Sequence, residues 1–197
     1  MTRLHFGCFN APRDGWMNTD VTPHIFIARV PGLAGLLHRL GRMGAERYAE
    51  HRHGTFRKVR YLNVVKPWPY PDAAFEAIFS SHVLEHLPLR GARHCLSECR
   101  RCLKPGGVLR ISVPDLDAAV ADYDPTRAAE WATTLFEADQ ESEKNMHHFM
   151  YNFHSLRALL LEAGFSEVAR CEYQKGQCPD VEHLDNRPAS LFVEAVK

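Results

Sequence analysis

The sequence predicts an α/β protein built on a mostly parallel sheet. Short β-type runs alternate with helical stretches, which suits a sheet covered on both faces. The last two strand-like runs are joined by a polar stretch with no clear helix, so an antiparallel C-terminal hairpin is expected in a sheet of about seven strands. The 197 residues suit a single domain, 1–197, with room for a real core.

Taken in order, "RLHFG" (3–7) reads as a strand ending in glycine, and "WMNTD" (16–20) as a second ending in an acid. The short distance between them leaves little room for a helix. Residues 21–56 are a helical, basic insertion or lid. From 21 to 60, Arg29, Arg39, Arg42, Arg47, Arg52, Arg57, Lys58 and Arg60 face only Glu46 and Glu50. This segment reads either as a docking surface for an anionic ligand or as a solvated amphipathic cover for the sheet.

"KVRYLNVV" (58–65) and "FEAIFSS" (75–81) are the third and fourth strands. A helix follows near 89–103, where Ala92, Cys95, Leu96, Cys99, Cys102 and Leu103 form one i, i+3, i+4, i+7 stripe. The cysteines in that stripe read as small core hydrophobes rather than metal ligands. "KPGG" (104–107) reads as a turn, "VLRISVP" (108–114) as a buried strand, and "HSLRALLLEAG" (154–164) as an amphipathic helix closed by Gly164. "SEVARCEY" and "ASLFVEAV" are the final two strands.

Formal net charge is zero, so no global field points to nucleic acid. No apolar run approaches a membrane span, and the N-terminal stretch lacks the apolar core of a secretory signal. A cytoplasmic protein with reduced cysteines, monomeric or homodimeric, is expected.

In an open α/β sheet, ligands sit beyond the carboxyl ends of the strands. Those tips present Gly7 and Cys8 in a tight turn, Asp20 as a carboxylate for two ribose hydroxyls, Asn63 for a base edge, then Ser81 and His82. Together they describe a nucleoside pocket.

"GWMNTD", "LNVVKPWPYPDAAFEAIFSSHVLEHL" and "LSECRRCLKPGGVLRISVPDL" resemble the class I S-adenosylmethionine-dependent methyltransferases, whose fold is Rossmann-like. They are most similar to small bacterial members with G-W-x-N-x-D and H-x-L-E-H motifs. "LRALLLEAGFSEV" and "LFVEAVK" are similar to the late helix and final strands of that family. The resemblance implies S-adenosylmethionine as cofactor. Gly7 and Cys8 would then line its methionine portion, Asp20 the ribose, Asn63 and Val64 the adenine, with Ser81 and His82 over the sulfonium. It also implies a small-molecule acceptor, such as a sugar or other hydroxylated metabolite. The chain departs from the family's G-x-G after strand one: "GCFN" puts Phe9 where the second glycine stands, a side chain expected to crowd the amino-acid end of the cofactor.

The spacing His82-x-x-Glu85-His86 also matches one class of zinc proteases. A protease motif lies within a helix, whereas His82 follows an apolar strand and should sit at its tip, with Glu85 and His86 opening the next helix. Some methyltransferases of the superfamily carry E-x-x-E-H as a divalent-metal site. Here His82 replaces the first Glu, and His147, His148 or His154 would have to add a ligand. The reading assigns no metal. For a hydroxyl acceptor, His86 and His148 are the candidate bases, with packing or capping as the alternative for each. A non-catalytic relative that binds partners through 21–60 is the competing reading. A nicotinamide enzyme is disfavoured because no G-x-G-x-x-G follows strand one.

Overall fold

The computed structural model describes residues 2–138 and 146–197. Its seven strands are β1 (Arg3–Phe6), β2 (Met17–Asp20), β3 (Val59–Tyr61), β4 (Phe75–Ser81), β5 (Leu103–Pro114), β6 (Glu167–Cys171) and β7 (Ser190–Val196). They form one sheet in the order β3-β2-β1-β4-β5-β7-β6. Pairing is parallel from β3 through β5, and β7 runs antiparallel to both β5 and β6. The expected mostly parallel sheet with an antiparallel C-terminal hairpin is therefore present.

The helices are α1 (His24–Ile27), α2 (Leu33–Arg39), α3 (Ala45–Arg52), α4 (Leu89–Cys102), α5 (Leu116–Ala121), α6 (Ala128–Phe136), α7 (Phe153–Glu162) and α8 (Val181–Leu184). Period-two alternation sorts the strands' side chains between two faces. Leu109, Ile111 and Val113 of β5, with Leu191, Val193 and Ala195 of β7, join the main core under α4 and α7. Cys95, Cys99 and Cys102 are fully buried in that core. Burial pushes the Cys99 thiol well above its ordinary pKa, so it packs as a neutral group.

The opposite face of β5 and β7 carries Arg110 and Glu194. It is covered by the connection between β6 and β7, which contributes Cys178 and Leu184 to a second apolar cluster. Arg110 is fully buried. Its guanidinium donates to both Asp185 carboxylate oxygens, at 2.9 and 2.5 Å, to Glu194 Oε1 at 2.9 Å, and to the carbonyls of Lys175 and Glu172.

Three expectations need correction. "KPGG" does not separate a helix from a strand, because Leu103 already pairs with Phe75; the register slips and resumes at Ala77 and Val108. The glycines supply an irregularity within β5 rather than its start. The third strand stops at Tyr61, so Asn63 and Val64 lie in the loop beyond it. Glu85 and His86 do not open α4: they form a single 3-10 turn, Leu84–His86, and Pro88 separates it from the helix. As expected, no helix fills the short span from Gly7 to Asp20.

Candidate active site

The carboxyl ends of β1, β2, β3 and β4 open onto one cleft of about 700 Å³. Gly7, Asp20, Asn63, Val64, His82 and His86 all line it, together with Phe9, Val83 and Arg187. A smaller compartment of about 220 Å³ adjoins it, lined by Cys8, Ser81, Arg13 and Phe79 among others. Gly7, Phe9, His82 and Arg187 line both spaces.

Gly7 has φ +69°, and a Cβ there would come within 2.2 Å of Val83 Cγ2. Only glycine satisfies both the backbone sign and that contact. The next residue, Cys8, is buried, and its N–H donates to Thr19 O at 3.1 Å, which carries the chain from β1 across β2. Burial, helped by the Asp20 charge, pushes the Cys8 thiol up to about 12, so it is a wall and not a nucleophile.

Asp20 organises this corner. Its Oδ2 accepts from Phe9 N–H at 2.9 Å and its Oδ1 from Thr22 N–H at 2.7 Å. Each carboxylate oxygen keeps a further lone pair for a ligand hydroxyl. Phe9 sits at φ +42°, the left-handed region that the family's second glycine would favour. Its ring leaves the turn toward α3, where the Arg47 guanidinium lies 4.5 Å from the ring centroid.

Asn63 turns its Oδ1 onto Val65 N–H at 3.2 Å, so its amide shapes the loop and offers its NH₂ group to a base edge. Ser81 accepts from Ser112 Oγ–H at 2.8 Å on the smaller compartment's wall. His82 adopts φ +54°, which bends the chain sharply off β4. Its Nε2 lies 2.8 Å from Ser190 Oγ and its Nδ1 3.1 Å from Glu85 Oε1.

His86 reaches the cleft. His148 does not line it: that side chain is exposed, and its backbone N–H donates to Glu85 O at 2.6 Å. The neighbouring His147 is the buried one, with its ring centroid 4.9 Å from that of His86. Sequence reading also missed Arg187, which arrives from the β6–β7 connection with no local motif to announce it, and Arg13, which lies on a loop.

This fold, with four strand tips converging on a nucleoside-sized cleft at the reversal of strand order, defines a class I methyltransferase domain. The family model described as "Methyltransferase domain" matches residues 27–169, well over half of the chain, and the chain belongs to that family. Similar proteins include "Probable S-adenosylmethionine-dependent methyltransferase Rv3030" of Mycobacterium tuberculosis, 27% identical over 128 residues. That alignment covers 64% of this chain and 39% of the relative, so the chain spans about two fifths of the relative's length. Among solved structures, a SAM-dependent methyltransferase from Archaeoglobus fulgidus superposes with TM-score 0.55 at 13% identity, covering 99% of this chain and 85% of that one. One from Thermotoga maritima gives TM-score 0.54 at 13% identity, covering 99% and 81%. At such identities these structures share the fold alone.

Proposed function

We propose that this chain transfers a methyl group from S-adenosylmethionine to a small-molecule acceptor, a hydroxylated metabolite such as a sugar being the preferred class. The observation that carries the reading is the convergence of Gly7, Asp20, Asn63, Val64 and His82 on one cleft. In this reading Asp20 holds the ribose, and Asn63 and Val64 flank the adenine. Gly7 and Cys8 line the methionine portion, and Ser81 and His82 close over the sulfonium. Arg13 and Arg187 border the smaller compartment and supply positive charge for the methionine carboxylate.

The methyl carbon on a sulfonium is already activated, so alignment is the main requirement. The acceptor oxygen attacks that carbon, the carbon–sulfur bond breaks, and its electron pair stays on sulfur. A hydroxyl acceptor also loses a proton. His86 is the histidine placed at the cleft to meet it; His148 stands outside the lining.

Calorimetric titration with S-adenosylmethionine, its demethylated product and NAD tests this reading. Binding of the two sulfur compounds without NAD is expected. Absence of binding by either sulfur compound at millimolar concentration sinks it and favours a non-catalytic partner-binding role for the basic 21–60 segment. Asp20→Ala should weaken binding at least about tenfold, the loss of one charge-assisted hydrogen-bonded contact. Unchanged affinity in a folded variant refutes the ribose assignment. A cofactor-loaded metabolite screen read by mass spectrometry then names the acceptor.

A further inference from the structure

A methyl-donor pocket leaves Glu85 of the H-x-x-E-H corner unexplained. Behind the cleft wall, Glu85 is fully buried and neither of its carboxylate oxygens has a hydrogen-bond partner. The nearby His82 Nδ1 at 3.1 Å is out of line for one. Burying a carboxyl group without partners is costly, so its retention calls for a compensating group.

His86 and His147 face the same point. One ligand atom from each of Glu85, His86 and His147 can be chosen so that all lie within 4.8 Å of one another. His86 Nδ1 lies 3.2 Å from the Met146 carbonyl, and His147 Nδ1 lies 2.7 Å from the Leu135 carbonyl. A carbonyl only accepts, so both Nδ1 atoms carry the proton and, in the neutral rings, both Nε2 atoms present lone pairs. Histidines that ligate metal are held in this way, with the second nitrogen fixed by an acceptor. The backbone also locks the loop in place: the N–H groups of His148 and Phe149 donate to Glu85 O at 2.6 and 3.2 Å. Glu137 Oε1 stands 3.6 Å from His147 Nε2 and lines the cleft beside His86.

We propose that Glu85, His86 and His147 bind a divalent first-row transition-metal ion such as Zn²⁺ or Co²⁺. Two imidazoles and one carboxylate favour these ions over Mg²⁺, which prefers an all-oxygen shell. Three protein ligands leave a coordination position open on the cleft side, as catalytic sites require. The role of the ion rests on the methyl-transfer reading. At the open position it would bind the acceptor hydroxyl and lower its pKa, the proton leaving to water before the oxygen attacks the methyl carbon. His86 then serves as a ligand and not as a base.

The test uses the whole chain, stripped with chelator and kept reduced, and titrated with Co²⁺, Zn²⁺ and Mg²⁺. One Co²⁺ per chain is expected, with visible absorption, displacement by Zn²⁺ and a rise in Tm; Mg²⁺ should bind at least about tenfold more weakly. Glu85→Gln and His147→Gln should each cut Co²⁺ affinity at least about tenfold, in the range seen when metal sites lose supporting groups. Without metal, Glu85→Gln should melt no lower than the parent, because no protein group is hydrogen-bonded to the carboxyl oxygens it replaces. A clearly lower metal-free Tm for Glu85→Gln would mean that the carboxyl group is structural, and overturns the proposal. So does a folded parent that takes up no Co²⁺ at about 100 µM, a concentration a three-ligand site should exceed in affinity. Uptake that persists unchanged in both variants assigns the ion to cysteines and also overturns it. Co²⁺ uptake without S-adenosylmethionine binding upholds the metal site and sinks the methyl-transfer reading; the reverse result sinks the metal site alone.

Discussion

Gly7 and Phe9, with Cys8 between them, hold left-handed positions in one turn, and they answer to different constraints. At Gly7 a methyl group has nowhere to go, because Val83 occupies its place. Gly7→Ala should lose about 2–4 kcal/mol from combined backbone strain and overpacking, read as a drop in the midpoint of chemical unfolding. At Phe9 the left-handed φ costs about 1 kcal/mol, while the Arg47 contact returns a comparable 0.5–1 kcal/mol. Phe9→Gly should therefore leave Tm nearly unchanged. Its effect should appear as faster amide exchange in 45–52, where Arg47 loses the nearer of its two aromatic partners and keeps only Phe56. Sequence reading placed this phenylalanine in the path of the cofactor's amino-acid end. Phe9 lines both compartments, and its ring also packs on Arg47 of α3 some forty residues away, a contact that no local pattern announces.

Among the elements, β4 was legible to the residue because its short aromatic and aliphatic run, broken only by Glu76, follows the turn-forming Pro71 and Asp72. The four strand tips were legible for a related reason: topology, and not local contact, determines where they meet. His147 was not separable from His148 and His154, since its contact with His86 joins residues some sixty positions apart and no periodicity encodes it. The basic 21–56 segment divides between its two readings. Ile25 of α1 and His51 of α3 are buried, whereas no residue of α2 is, and Leu36 and Leu40 stand exposed.

The β6–β7 connection, silent in the sequence, is fastened by Arg110. Arg110→Ala should cost about 3–5 kcal/mol, because it strands Asp185 and Glu194 in the interior without their cation. Chemical denaturation of the variant measures this.

For the molecule as a whole, stability should fall in mild acid. His5 is buried between β2 and β4, and burial lowers its pKa from 6.5 to about 4, against a raising contribution from Asn18. Above pH 6.5 the group is neutral in both folded and unfolded chains and contributes no slope. As pH falls from about 6.5 to about 4, the unfolded chain binds the proton first, and up to about 3 kcal/mol is lost. His5→Gln should flatten that part of the stability–pH curve; an unchanged slope assigns the acid sensitivity elsewhere.

Arg110 also ties a distant event to the cleft. Asp185, which it grips, is two residues from Arg187 on the rim shared by both compartments. The strap over β5 and β7 is thus tied through Arg110 and Asp185 to the mouth of the site. Occupying the smaller compartment with an anionic ligand should slow exchange along 174–187 before it changes the rest of the protein. Loosening the strap from beneath should speed ligand escape by the same door.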